Sequence, residues 1–207
     1  MSDWIGHECG IAAIRLLKPL DYYIQKYGTP MYGVNKLTLL MEKQHNRGQD
    51  GAGAAVIKLD MPPGEPYIFR TRSAGKNPIM EVSNRLVRSF VEARDGNPDE
   101  YQDGQWVKEN ILFAGELLLG HLRYGTFGGS GETFCHPFLR QNNWMTRNLV
   151  MAGNFNLTNN VELFEMLVDL GQHPRNRTDT VIVLEKIDHF LDEANDAIFR
   201  KYNKQKV

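Results

Sequence analysis

Apolar residues in this chain change their period in blocks. Strand-like runs open it, helical spacing fills the middle, strands return and helices close it, an order that selects an α+β layered domain with mainly antiparallel sheets. The first run, GIAAIRLL from Gly10 to Leu17, has strand content. The following KPLDYYIQKYGTPMYG reads as an irregular surface excursion, because Pro19, Gly28, Pro30 and Gly33 punctuate it. From Val34 to Gln44, Leu37, Leu40 and Met41 recur at helical spacing, and the glycine-crowded NRGQDGAG ends that helix and leaves Arg47 on a loop. AAVIKL and YIFRTRS read as two strands joined by DMPPGEP. Ile79, Val82, Leu86, Phe90 and Ala93 predict a helix over 79–94, broken by the polar DGNPDEYQDG, which is expected to be mobile. ELLLGHLRYGT reads as a buried strand running into a glycine-rich loop, and NLVMAGN as a short strand ending at Asn154. NNVELFEMLVDLG and the stretch from Thr178 read as helices, the second with Leu184, Ile187, Leu191, Ala194 and Ile198 on one stripe.

At 207 residues such a pattern can bury a real core. No apolar run is long enough for a bilayer, and MSDWIGHE has neither the basic nor the apolar region of a secretory signal, so the expected home is the cytoplasm, with no membrane partner. Against 25 acidic residues stand 24 lysines and arginines, so the overall field gives no reason to expect a nucleic-acid partner. The locally basic tail FRKYNKQKV reads as a solvated helix end. In such a compartment the two cysteines, Cys9 and Cys135, are not expected to form a disulfide. The six histidines show no ligand spacing, so neither a metal nor another cofactor is expected.

Cys9 heads the first apolar run. A thiol with its free pKa near 8.5 needs a base or a lowered pKa to attack anything. His7, two residues earlier, would share a strand face with it, and a small buried apolar cysteine is the other reading. Polar groups recur where the predicted elements end: Arg47, Arg123 and Thr126, Asn154, and Asp179. Together they suit an amino-acid substrate. An arginine can hold an α-carboxylate bidentately, an aspartate can take an α-ammonium, and an asparagine amide beside a backbone N–H can hold an oxyanion. Taken singly, each also fits a surface ion pair or a turn. Cys135 has no base near it in sequence and reads as packing.

CGIAAI, RGQDGAG, GHLRYGT, HPF, NFNLTN and TDT, in that order from Cys9 to about Leu191, resemble the glutaminase domain of class II glutamine amidotransferases. Gln49 in RGQD makes the likeness greatest to the amidophosphoribosyltransferase branch, which acts at the start of purine synthesis. The resemblance implies a four-layer αββα sandwich of two antiparallel sheets, the N-terminal nucleophile hydrolase fold. It divides the chain into a leader, 1–8, removed at the Glu8–Cys9 bond, and a glutaminase domain, 9–207. In that family the mature chain starts at the cysteine, whose own α-amine is the general base. An amine with pKa about 7.7 to 8 can do this, and a peptide nitrogen cannot. By the same resemblance Cys9 is the nucleophile, Asn154 and the N–H of Phe155 form the oxyanion site, and Arg47, Arg123, Thr126 and Asp179 surround glutamine. Ammonia would pass to a phosphoribosyltransferase domain or synthase partner, since no phosphoribosyl pyrophosphate loop is visible here. A homo-oligomer is compatible with these expectations.

The family pattern has glycine where this chain has Phe155, glutamic acid where it has Val181 and glutamine where it has His136, and Asn46 is inserted before Arg47. Phe155 motivates a second reading, a non-catalytic glutamine-binding or scaffolding relative with Cys9 capped. A hydrolase of the same fold acting on another amide is a third, but the pair Arg123 and Asp179 favours a free amino acid.

Overall fold

A computed structural model describes residues 8–125 and 131–203. They form two compact units, Met1–Pro137 and Phe138–Val207.

In the first unit, β1 (Gly10–Arg15), β2 (Gly51–Ile57), β3 (Ile68–Ser73) and β4 (Leu117–Arg123) make one sheet in the order β1-β4-β2-β3, with every neighbouring pair antiparallel. The central β2 reads GAGAAVI, and its Ala52, Ala54, Ala55 and Val56 are wholly buried. Small side chains let other segments lie close to it. A Cβ at Gly53 would stand 2.0 Å from the His136 carbonyl oxygen, so the chain around HPF can cross the sheet only over glycine. Two arginines of β3 hold that crossing, Arg70 donating to the Pro137 carbonyl at 3.2 Å and Arg72 to that of Cys135 at 3.0 Å.

The helices α2 (Tyr32–Lys43) and α3 (Pro78–Gly96) supply Val34, Leu37, Met41, Val82, Leu86 and Phe90 to one core with Ala12, Ala54, Val56, Leu118 and Leu122 of the sheet. Burying each of the larger side chains contributes about 1.5–3 kcal/mol. Leu40, expected on the inner stripe of α2, is 40% exposed instead.

The supposed irregular excursion is a helix, α1 (Leu20–Tyr27). Pro19 and Gly28 punctuate its ends rather than its middle: Pro19 is the N-cap, and Gly28 closes the helix at φ 71°, its N–H on the Ile24 carbonyl. Leu20, Tyr23 and Ile24 are its buried face, and Tyr32 stacks on Tyr23 and Tyr27 with ring centres 5.0 and 4.3 Å apart. The polar DGNPDEYQDG also carries structure, a 3-10 turn over Glu100–Gln102. It buries Tyr101, and Asp103 caps a further helix, α4 (Gly104–Asn110), by accepting the N–H groups of Gln105 and Trp106. Asp21 of α1 accepts the Gly104 N–H at 2.8 Å and joins the two helices.

In the second unit, β5 (Phe138–Arg140) pairs antiparallel with β6 (Leu149–Met151), and α5 (Asn160–Asp169) precedes the long α6 (Asp179–Asn203). Phe138, Val181 and Leu184 pack with Leu149 and Met151. Of the expected stripe of α6, Leu184 is buried and Leu191 half-buried, while Ile187 and Ile198 are 39% and 58% exposed. The face toward β5 and β6 is partly ionic instead. Arg140 pairs with Glu185 and, at 2.7 Å, with the fully buried Asp188, while Arg147 pairs with Asp192 and Asp196. Burial pushes the Asp188 carboxyl above its ordinary range, and Arg140 pulls it back. The α+β class with antiparallel sheets is as the sequence predicts. Among the described residues no helix is long and apolar enough to cross a membrane.

At the end of the first sheet where β2 finishes and β4 starts, Lys58 is buried beside the Lys108–Glu116 ion pair, whose atoms are 2.7 Å apart. Burial, helped by the Lys108 charge, lowers the Lys58 ammonium from 10.5 to about 8. The unfolded chain therefore holds this proton more tightly, so the folded state carries the full penalty below pH 8 and sheds it as pH rises toward 10.5. Lys58→Met is expected to raise unfolding free energy at pH 7 by roughly 1–3 kcal/mol, a gain that shrinks between pH 8 and 10.5, as read by urea denaturation across pH.

Candidate active site

The register of the first sheet decides which sequence motifs meet. Gly10, the first residue of β1, pairs with Leu122, and Gly51, the first of β2, pairs with Arg123, the last of β4. Because both strands run antiparallel to β4, each begins where β4 ends. Cys9, Asp50 and the Arg123–Gly125 segment thus share one end of the sheet.

Cys9 is half-buried, and both cysteines are free thiols. The Tyr124 N–H points at the Cys9 sulfur from 3.5 Å, across 115 residues of sequence. Asp50 holds the same stretch twice: its own N–H donates to the Arg123 carbonyl at 3.1 Å, and its Oδ2 accepts the Gly125 N–H at 2.7 Å. Gly48 packs against it, since a Cβ there would lie 2.6 Å from the Leu122 carbonyl carbon and 2.7 Å from that of Arg123.

Arg123 is buried, with its guanidinium carbon 5.8 Å from the centre of the Phe134 ring. Its Nη1 and the Asp50 Oδ2 each stand 3.4 Å from where a Gly125 Cβ would be, so a cation and an anion flank that glycine. Arg47 is exposed, its Nη1 3.9 Å from Glu8 Oε2, a separation worth no more than about 1 kcal/mol at a surface. Thr126 lies outside the described residues. Cys135 is fully buried, donating to the Ser73 carbonyl at 3.4 Å, and a Cβ on Gly51 would meet its sulfur at 2.4 Å. Burial pushes its thiol up, against the pull of Arg123 and Arg72, which suits packing rather than nucleophilic attack.

The second unit carries Asn154, Phe155 and Asp179. Asn154 is exposed on the loop after β6. The Phe155 ring folds back over Gly153, its nearest carbon 2.3 Å from where a Gly153 Cβ would stand. Among the described residues Asp60 is the one non-glycine with positive φ, so Phe155 does not adopt the left-handed backbone that would strain it. Asp179 opens α6, and its carboxylate accepts the Leu157 N–H at 2.9 Å and the Asn160 side-chain amide. It therefore fastens the loop after Asn154 to the start of the helix. Sequence reasoning overlooked Asp50 and the Tyr124 N–H. The available signal was position, since Asp50 immediately precedes the strand that pairs with Arg123.

No family model matches the chain. It is 29% identical over 152 residues, 73% of its length, to the glutamine–fructose-6-phosphate aminotransferase of Shewanella oneidensis, of which it covers 19%. With the protein of that name from Pseudomonas putida it shares 28% identity over 156 residues, covering 20% of that protein. Among solved structures it is similar to the glutamine phosphoribosylpyrophosphate amidotransferase from B. subtilis complexed with ADP and GMP, with a TM-score of 0.50 and 21% identity over 86% of this chain and 28% of that one. The chain spans about a fifth of the length of the curated relatives it matches. These sequence relatives and this fold neighbour bear out the resemblance to class II glutamine amidotransferase domains.

Gly48→Ala drives a methyl into the end of β4 and is expected to lower stability by about 1–3 kcal/mol, read by urea denaturation.

Proposed function

Because the chain resembles class II glutamine amidotransferase domains in sequence and fold, we propose that it hydrolyses glutamine to glutamate and ammonia with Cys9 as nucleophile. The observation that carries this reading is one sheet end that gathers a half-buried thiol, a backbone N–H 3.5 Å from its sulfur and a buried guanidinium.

Cys9 acquires its base when the Glu8–Cys9 bond breaks. The Cys9 sulfur attacks the Glu8 carbonyl carbon, the peptide nitrogen leaves with a proton as the new α-amine, and water hydrolyses the thioester to release residues 1–8. In turnover, the sulfur attacks the side-chain carbonyl carbon of glutamine while the α-amine carries the thiol proton to the departing ammonia. Water then cleaves the glutamyl thioester and restores the thiol. The Asn154 amide and the Phe155 N–H donate to the oxyanion, Arg123 holds the α-carboxylate, Asp179 the α-ammonium, and Arg47 and Thr126 complete the surroundings of the substrate. The four-layer sandwich of the N-terminal nucleophile hydrolases belongs to the same reading.

Ammonia goes to an acceptor domain or partner that uses phosphoribosyl pyrophosphate, as in the first step of purine synthesis. Gln49 and the likeness to the B. subtilis fold support that acceptor. The sequence relatives support fructose 6-phosphate as the alternative, and supplying each acceptor enzyme with this chain and glutamine separates the two. Phe155, in place of the family's glycine, supports a second reading, a capped relative that binds glutamine without hydrolysing it.

Intact mass is expected to show loss of Met1 to Glu8, and the processed chain to release glutamate and ammonia from glutamine. Cys9→Ala abolishes that release, and Asn154→Ala lowers kcat by about 100- to 1,000-fold. An unprocessed chain that binds glutamine and yields no glutamate establishes the capped relative instead.

A further inference from the structure

An N–H can aim at a sulfur only if its peptide plane is fixed. The Arg123 carbonyl and the Tyr124 N–H belong to one peptide unit, and in a trans unit they point in opposite directions. One end of that unit receives the Asp50 N–H at 3.1 Å; the other donates to Cys9 Sγ at 3.5 Å. The next unit is held by the same residue, through the Gly125 N–H on Asp50 Oδ2 at 2.7 Å. Gly48 closes against the Arg123 carbonyl carbon and leaves no room for the stretch to shift toward it. Two consecutive peptide planes thus take their orientation from Asp50.

We propose that Asp50 is a positioning residue, which aims the Tyr124 N–H at the Cys9 sulfur so that the N–H stabilises the thiolate. This rests on the reading of Cys9 as nucleophile and adds to it a group that favours the attacking form. Hydrogen bonds to an ionised acceptor are about twice as strong as those between neutral groups, so this contact tightens as the thiol loses its proton. Among the described residues, the charged groups at this end of the sheet include Glu8, which precedes Cys9, Arg47 and Asp50 on the loop before β2, and Arg123 at the end of β4. The Asp50 carboxylate itself opposes a second negative charge nearby, so its charge and its hydrogen bond must be separated by experiment.

Two substitutions do so. Asp50→Asn removes the charge and keeps an acceptor for the Gly125 N–H; Asp50→Ala removes both. The rate of iodoacetamide alkylation at Cys9, located by mass spectrometry, is measured against pH in the whole chain. The half-maximal pH is expected to lie higher in Asp50→Ala than in Asp50→Asn by about half a unit or more, which is roughly threefold less thiolate at a given pH below it. Equal midpoints, or the reverse order, overturn the proposal. A measurement on the unsubstituted chain covers the case in which Asp50→Ala does not fold: the Tyr124 amide proton shift should titrate with the midpoint of Cys9 alkylation, and a shift that ignores that titration overturns it equally. Neither readout needs glutamine turnover. A chain that hydrolyses no glutamine and still shows both effects keeps the positioning role and loses the proposed reaction.

Discussion

The antiparallel register of β1, β4 and β2 is the constraint on which the rest of the molecule depends. It brings the start of two strands to the end of a third, and so places Cys9, Asp50 and Arg123 together. Because successive side chains of a strand face opposite ways, a slip of one residue would turn Ala12, Ala54, Val56, Leu118 and Leu122 away from the core they share with α2 and α3. The hydrophobic effect therefore enforces the same alignment that brings the Tyr124 N–H to the Cys9 sulfur. Stability and the candidate chemistry are set by one geometric choice.

Close backbone approach is the second requirement, and it explains the glycines of RGQDGAG. Gly48 lies against the end of β4, Gly51 over the Cys135 sulfur and Gly53 under the His136 carbonyl. Each would be a steric collision with any larger residue. What looks in sequence like a loose turn is close packing of backbone, and the arginines of β3 pin the crossing segment in place. Charged groups stand at both ends of this sheet. One end carries the candidate site, and the other buries Lys58, Lys108 and Glu116 at an electrostatic cost.

Where sequence reasoning misread the fold, the cause was punctuation or charge. Proline and glycine in KPLDYYIQKYGTPMYG suggested disruption, yet Pro19 and Gly28 stand at the ends of α1 and leave Leu20, Tyr23 and Ile24 on one helical face, and Gly33 lies within α2. Asp103 was an N-cap signal hidden in a polar run. On α6 an apolar stripe was expected, whereas Glu185, Asp188, Asp192 and Asp196 recur at helical spacing and meet Arg140 and Arg147. Periodicity of apolar residues cannot reveal a face that is satisfied by ion pairs, because the partners come from strands and turns 45 or more residues away.

The sequence by itself determined the class of the fold and the strands and helices of strong period, and it supplied the candidate nucleophile, since the cysteine that heads CGIAAI and the arginine in GHLRYGT are chemical facts of the chain. Tertiary structure alone decided that Asp50 reaches across to hold the backbone after β4, that Asp179 fastens the loop after Asn154, and that the Phe155 ring lies over Gly153. The physical reason is that a hydrogen bond between distant residues depends on orientation to within tenths of an ångström. Local residue preference carries no record of that orientation until the sheet has closed.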